Sequence, residues 1–156
     1  MAEEDKKSRQ KRAKNSTSPA ELEKLLAEDE DMFVRKYAAS NTNTPVPLLV
    51  KLVEDNDEFT WIWAIGNANF PVPLLEKLAE DNDKNVRKAV ARNINTPGPV
   101  FEKLAKDKDM GVCFNVATNE NTPVSVLEKL AKGKKNWQVR SQVAANENTP
   151  VSLLEK

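Results

Sequence analysis

The sequence contains no histidine, a single cysteine and only four glycines among its 156 residues. Without histidine, the usual Ser/His and Cys/His nucleophile arrangements and zinc sites are excluded. The lone Cys113 rules out an internal disulfide framework and fits a reducing compartment. No apolar run reaches the roughly 18 residues that a membrane-spanning helix needs. These absences favour a soluble, cytoplasmic protein that is not an enzyme and needs no cofactor or metal.

Charge is balanced overall, with 24 basic and 24 acidic residues, but it is unevenly distributed. Residues 1–15 hold six Lys/Arg against three acids, and the remaining chain holds 18 against 21. The body therefore lacks the overall basic charge of a typical nucleic-acid-binding domain. We expect residues 1–15 to form a disordered basic tail in front of a single folded domain at residues 16–156.

Prolines and asparagines mark an internal repeat. Five prolines recur at a constant step and a sixth stands one residue late, at Pro19, Pro45, Pro71, Pro97, Pro123 and Pro150. Asparagines keep the same step, with the last again one residue late, at Asn41, Asn67, Asn93, Asn119 and Asn146. Such a period, of about 26 residues, is the signature of stacked repeats. The sequence predicts repeats at 16–41, 42–67, 68–93, 94–119 and 120–146, and a half-repeat at 147–156.

The first part of each repeat predicts a helix, which we call helix A. In three repeats and the half-repeat a threonine precedes the proline, so we expect its hydroxyl to cap free N–H groups and the proline to occupy the first helical position. An apolar stripe at helical spacing follows, which in the third repeat consists of Leu74, Leu75, Leu78 and Ala79.

The second part predicts a shorter helix B. Asp81 and Asp83 suit a turn or a helix cap, and Val86 and Val90 are four apart and are expected to face inward. Asn93 would end the helix in the left-handed conformation that asparagine tolerates. Neither helix is long enough to be stable alone, so each repeat must bury its stripe against the next. The predicted fold class is therefore all-α.

The pattern NTPxxLLEKLAxDxDxxVRxxVAxN resembles the leucine-rich repeat variant family and, more distantly, HEAT repeats. The shared feature is an Asp five residues before a Val-Arg pair, found at Asp29 with Val34-Arg35 and at Asp81 with Val86-Arg87. The resemblance covers residues 16–156 and implies a right-handed α-solenoid of about five two-helix repeats, with helix B partly 3₁₀. It also implies a role in macromolecular binding. Some members are associated with an iron–sulfur domain, for which this chain has no cysteine cluster.

One slot of helix B holds Arg35, Arg87 and Arg140. These arginines would form either a row of phosphate contacts or a ladder, in which each bonds the recurring Asp of its own or the neighbouring repeat. We favour the ladder, because the slot holds Trp61 and Cys113 in the other two repeats, independently of any basic stripe.

The outer face of helix B varies most. Its twenty positions across five repeats contain no acidic residue. They include large apolar and cationic side chains, which suit a contact site. The candidate partner-binding residues are Phe33, Lys36, Tyr37, Phe59, Ile62, Trp63, Lys88, Arg92, Phe114 and Asn115. Alternatively helix B is rotated, and Trp61 and Trp63 fill gaps in the core. We expect Trp61 to pack between repeats in either case, whereas Trp137 stays unassigned.

The leading hypothesis is a protein- or peptide-binding scaffold that uses the helix B surface, the concave side in related solenoids. Its cations and lack of carboxylates favour a partner with apolar and some acidic residues. The alternative is nucleic-acid binding through the basic tail, the arginine slots and the stackable aromatics, which the negative body disfavours. A base-excision enzyme would need a carboxylate among these aromatics, and none is present. A stretch of a longer or engineered array is also compatible with the repeats.

Overall fold

The computed structural model describes residues 3–54, 60–133 and 137–154. All regular secondary structure in these ranges is helical, which confirms the predicted all-α class. No helix within them has both the length and the apolar character needed to cross a membrane. The chain forms two compact units, Met1–Pro71 and Val72–Lys156, which we call the N-terminal and the C-terminal unit.

The described part of the N-terminal unit contains α1 (Glu3–Asn15), α2 (Pro19–Glu28), α3 (Met32–Ser40), α4 (Val46–Glu54) and α5 (Trp61–Ile65). Helix α3 packs against α1, α2 and α5, and α4 packs against α5. The predicted disorder of residues 1–15 is therefore wrong, since most of them form a helix that docks on α3. In this unit α2 and α4 are A helices, whereas α1, α3 and α5 occupy the place of B helices.

The described part of the C-terminal unit contains α6 (Val72–Leu78), α7 (Lys84–Arg92), α8 (Gly98–Leu104), α9 (Met110–Thr118), α10 (Val124–Lys132), α11 (Trp137–Ala145) and α12 (Val151–Leu154). Each of α6, α8 and α10 packs against the helix that follows it, while α9 packs against both α7 and α11. The B helices α7, α9 and α11 are nine-residue α-helices, about two and a half turns, so the expected 3₁₀ character is not found in them.

The apolar stripes line the core of each unit much as their spacing predicts. In α6, Leu75 and the following Ala79 are buried, whereas Leu74 and Leu78 are only half-buried. Val90 of α7 is fully buried, but Val86 is half-buried, so only one of the two predicted inward valines is a full core residue.

The position of the recurrent threonines before proline predicts that they cap helix A. In the structure they bind the end of the preceding helix instead. The Oγ1 hydroxyl of Thr122 donates to the carbonyl of Val116 at 2.6 Å, and Thr44 donates to Ala38 at the same distance. The residue at the N-cap of α10 is Pro123, which makes no side-chain cap bond. A helix leaves its last carbonyls unpaired, and a buried acceptor is costly to leave unsatisfied. The buried threonine therefore closes the end of the preceding helix B instead of starting helix A.

The recurrent asparagines also differ from the prediction. Asn93 ends α7 at φ −65° and ψ 131°, an extended conformation, not the left-handed one expected. In the next repeat, the amide Nδ2 of Asn119 donates to the carbonyls of Ala91 at 2.9 Å and Asn93 at 3.0 Å, one repeat earlier. Its Oδ1 accepts the backbone N–H of Asn121 at 2.9 Å. The same donation to the preceding repeat recurs, and we call the set the asparagine ladder: Asn41, Asn67, Asn119 and Asn146.

A second ladder joins arginine to aspartate. Arg87 donates from Nε and Nη2 to the carboxylate of Asp107 at 2.6 and 3.0 Å, and from Nη1 to the carbonyl of Asp81 at 2.7 Å. Arg9 binds Asp29 at 2.7 Å with the same separation of 20 residues along the chain. These pairs confirm that Arg87 bonds the recurring Asp of a neighbouring repeat, as the ladder hypothesis predicts. Asp55, which holds the corresponding place for Arg35, lies outside the described residues.

Helix α1 is held by the same residue that caps α3. The Oδ1 atom of Asp31 accepts the N–H groups of Phe33 and Val34 at 3.0 and 3.1 Å. Its carboxylate also binds Lys6 Nζ at 2.7 Å and Gln10 Nε2 at 3.2 Å. One carboxylate thus ties the start of α3 to the docked α1.

The ionisation of Asp31 should make the stability of the N-terminal unit depend on pH. Desolvation is the largest influence and would raise the pKa of Asp31, but hydrogen bonds from Lys6, Gln10 and the backbone of Val34 lower it from 3.8 to about 2. Because the folded pKa is the lower one, the stabilisation is complete well above pH 4 and is lost as the pH falls towards about 2.

Between about pH 5 and about pH 3, we expect the free energy of unfolding to fall by about 1 kcal/mol more in the wild type than in Asp31→Asn. This figure allows for solvent screening of the carboxylate. Asparagine keeps the cap but cannot titrate. Urea unfolding at about pH 5 and about pH 3 measures the difference. Equal losses in the two proteins would contradict the assignment.

Candidate partner-binding surface

The structure places four of the predicted binding residues on neighbouring helices of the N-terminal unit and brings three of them, Lys36, Tyr37 and Trp63, close together. Lys36 and Tyr37 lie on α3, Ile62 and Trp63 lie on α5, and all four are half-buried. The Nζ atom of Lys36 is 3.9 Å from the centroid of the Trp63 ring and 5.8 Å from that of Tyr37. An ammonium group within about 6 Å of a ring is attracted to its face. Lys36 therefore joins the rings of two neighbouring helices.

Phe33 extends this surface along α3. Its side chain is 43% exposed, and Lys6 Nζ of α1 lies 5.9 Å from its ring. We call Phe33, Lys36, Tyr37, Ile62 and Trp63 the aromatic face. Phe59, which was predicted to belong to the same surface, lies outside the described residues.

The other two tryptophans are not part of the aromatic face. Trp61 is only 6% exposed, in agreement with the core position expected for it. Trp137, which the sequence left unassigned, is 69% exposed at the start of α11 in the C-terminal unit. Of the three tryptophans, Trp63 alone is placed to contribute to both the packing and the accessible surface of α3 and α5.

Three of the four predicted residues of the C-terminal unit, Lys88, Arg92 and Asn115, form polar contacts within that unit. Lys88 of α7 pairs with Asp109 at 3.3 Å, and Arg92 Nε donates to Asn115 Oδ1 at 3.3 Å. The predicted exposure of Asn115 is wrong, since it is buried at 5% exposure, and Ala89 is buried as well. Ala89 and Asn115 occupy the same position in successive B helices, α7 and α9. These two helices pack against each other. Phe114 stays half-buried.

Sequence reasoning missed the contribution of α1. Lys7, Gln10, Lys11, Lys14 and Asn15 line an open pocket of about 380 Å³ together with Tyr37. In the sequence, the first four precede the outer positions of α3 by one repeat length. They therefore correspond, on α1, to the outer positions of helix B.

A signal for this continuation was present in the sequence. Arg9 stands one repeat before Arg35, and Ala13 stands one repeat before Ala39. The charge density of residues 1–15 obscured this register. The spacing of the repeat can therefore be followed into residues 1–15.

The electrostatic character of the surface follows from these positions. None of the outer positions on α1, α3 and α5 carries a carboxylate, whereas lysines recur on two of the three helices. Within the ranges that the structure describes, no three Asp, Glu, Cys or His side chains are arranged to hold a metal ion. The arrangement provides rings, aliphatic stems and cations, which are groups for binding.

No match to this chain was found among known proteins. A scan against models of protein families gave no match, and searches of curated proteins and of solved structures gave none either.

Proposed function

We propose that this protein is a non-enzymatic protein- or peptide-binding scaffold built as a right-handed α-solenoid. The proposed array has about five two-helix repeats of about 26 residues each and a C-terminal half-repeat, and it resembles the leucine-rich repeat variant family. Alternation of A and B helices within each unit supports this architecture, as do the two ladders that link positions in successive repeats.

The observation that carries the proposed function is the stacking of Lys36 on Trp63, at outer helix positions that carry no acidic residue in the sequence. Half-buried rings beside a cation can bury a partner side chain without a large entropy cost, because they are already held by their own helices. Large aromatic residues at such positions supply much of the binding energy in known interfaces. A peptide with an apolar side chain would lie over Trp63, Ile62 and Tyr37.

The test begins with random peptides displayed on phage and selected on the full chain. The strongest selected peptide should bind the wild type and lose about 30-fold in affinity to Trp63→Ala, as expected when a central aromatic residue is removed. Fluorescence anisotropy with the labelled peptide measures this change.

Trp137→Ala is the matched control, since it removes an even more exposed tryptophan from outside the aromatic face. It should bind as the wild type does, and far-UV circular dichroism should be unchanged in both variants. If Trp63→Ala keeps full affinity while folded, or if no peptide is selected at all, the proposed function is wrong.

Nucleic-acid binding is the second candidate, and one observation favours it. The lysines of α1 border Tyr37, so cations and a stackable ring share one pocket. On this alternative, a labelled single-stranded oligonucleotide would bind with an affinity that falls steeply as salt rises, because phosphate contacts release counterions. The negative charge of the chain outside residues 1–15 disfavours this alternative.

A further inference from the structure

Helix α1 carries two sets of cations with different surroundings. Lys6 and Arg9 bind Asp31 and Asp29 at 2.7 Å, and Arg12 lies 3.7 Å from a carboxylate oxygen of Glu21. These cations face the loop before α3 and the start of α2, so they hold α1 in place. Their charge is already matched by aspartate and glutamate.

The second set consists of Lys7, Lys11 and Lys14. All three are exposed, and among the side chains that the structure describes none of them forms an ion pair. Their spacing of four and three residues places them on one stripe of the helix, about 10 Å long at 1.5 Å per residue. We call this set the lysine stripe.

The lysine stripe meets the aromatic face at Tyr37, which shares a pocket with all three lysines. The stripe therefore lies beside the rings of α3. The exposed lysines of α1 add positive charge next to Tyr37, at the edge of the aromatic face. A segment lying across both would meet apolar groups first and cations next.

The charge of the surrounding unit limits what can lie there. Residues 1–71 hold ten Lys/Arg against thirteen Asp/Glu, so the N-terminal unit is negative overall although these outer positions carry no acid. A long polyanion that tracks over the unit would pass carboxylates beyond the stripe. A short segment with its own carboxylates would need to contact only the cations of the stripe.

We propose that the lysine stripe and the aromatic face form one receptor for an acidic peptide segment with an aromatic or aliphatic anchor. The anchor lies over Trp63 and Tyr37, and the flanking Asp or Glu residues pair with Lys7, Lys11 and Lys14. This assignment rests on the proposed peptide-binding function and adds the chemistry of the partner. Helix α1 is then part of the binding surface.

The test compares peptides selected on the full wild-type chain and on the triple variant Lys7→Gln, Lys11→Gln, Lys14→Gln. Peptides selected on the wild type should be enriched in both acidic and apolar residues. Those selected on the triple variant should keep the apolar residue and lose the acidic enrichment. The best wild-type peptide should bind the triple variant about tenfold more weakly, as three exposed ion pairs allow. Added salt should reduce this difference.

A matched control removes three exposed lysines elsewhere, in Lys24→Gln, Lys51→Gln, Lys77→Gln. It has the same net charge as the triple variant and should bind as the wild type does. Equal weakening of both triple variants would mean a general charge effect, and it would overturn the inference.

Two further outcomes separate this inference from the proposed function. Wild-type peptides that need Trp63 but show no acidic enrichment would overturn the inference and leave peptide binding intact. Failure to select peptides, together with tight binding of a single-stranded oligonucleotide that depends on the lysine stripe, would overturn both and favour a nucleic-acid partner.

Discussion

Asn119→Ala is expected to lower the free energy of unfolding by about 3 kcal/mol, because it removes three side-chain hydrogen bonds, two of them to buried carbonyl groups. The Asn119 side chain is 8% exposed and donates to the carbonyls of Ala91 and Asn93, both one repeat earlier. Its oxygen also accepts the N–H of Asn121. Alanine removes all three bonds and offers no replacement. Urea unfolding followed by far-UV circular dichroism measures the loss.

Two variants distinguish this role from a general preference for asparagine in loops. Asn121→Ala removes an exposed amide that donates to the carbonyl of Ile94 at 2.6 Å, where water can replace it, so its cost should be about 0.5 kcal/mol. Asn119→Asp keeps the shape and the acceptor but directs a carboxylate at two carbonyls, so it should be at least as destabilising as alanine. If Asn119→Ala costs no more than Asn121→Ala, the ladder does not stabilise the fold.

Phe101→Ala should lower the free energy of unfolding by about 4 kcal/mol. Phe101 lies in α8 and is fully buried, and it is among the largest fully buried side chains of the described residues. Replacement by alanine removes most of the ring from the core and leaves a cavity that neighbouring helices fill only partly. The same urea titration measures the change.

Phe101→Leu is the matched control for this prediction. The corresponding positions one repeat earlier and one repeat later are Leu75 and Leu127, which are also fully buried. Leucine therefore suits this slot of helix A, and the substitution should cost about 1 kcal/mol. Similar losses for alanine and leucine would mean that the aromatic ring itself, not the filled volume, is required at α8.

These two predictions concern residues that repeat, whereas the proposed binding surface uses residues that do not. The repeated positions make hydrogen bonds and core contacts that any stack of such helices needs. The outer positions of helix B take less part in these contacts, although Ala89 and Asn115 are buried, and their residues differ from repeat to repeat. Within the described chain, this variation is used most clearly in α3 and α5, where Lys36, Tyr37 and Trp63 come together.

Much of the local structure could be predicted from periodicity alone. The constant repeat step, the alternation of two helices and the burial of Val90 and Leu75 follow from spacing and apolar pattern. Asp31 and Asp83 cap helix B as their position suggests, with side-chain oxygens accepting N–H groups of the first turn. Each of these features depends on residues within a few positions of one another.

The candidate site was predictable only in part. The rings on α3 and α5 were named from their slots, but the exposure assigned to Asn115 was wrong because burial there depends on the adjacent helix. Helix α1 was missed because a segment rich in lysine is typical of a disordered tail when it is considered alone. Its cations pair with Asp29 and Asp31, which lie about 20 residues further along the chain.

By itself the sequence determined the repeat, the helical class and the acid-free outer positions, since these are properties of order and spacing along one chain. Only the tertiary structure decided where the side chains of the threonines and asparagines donate, because their acceptors are set by helix ends and by the preceding repeat. It also decided that the lysines of α1 lie beside Tyr37. That placement requires α1 to dock on α3, and this docking includes charge pairs between segments distant in sequence.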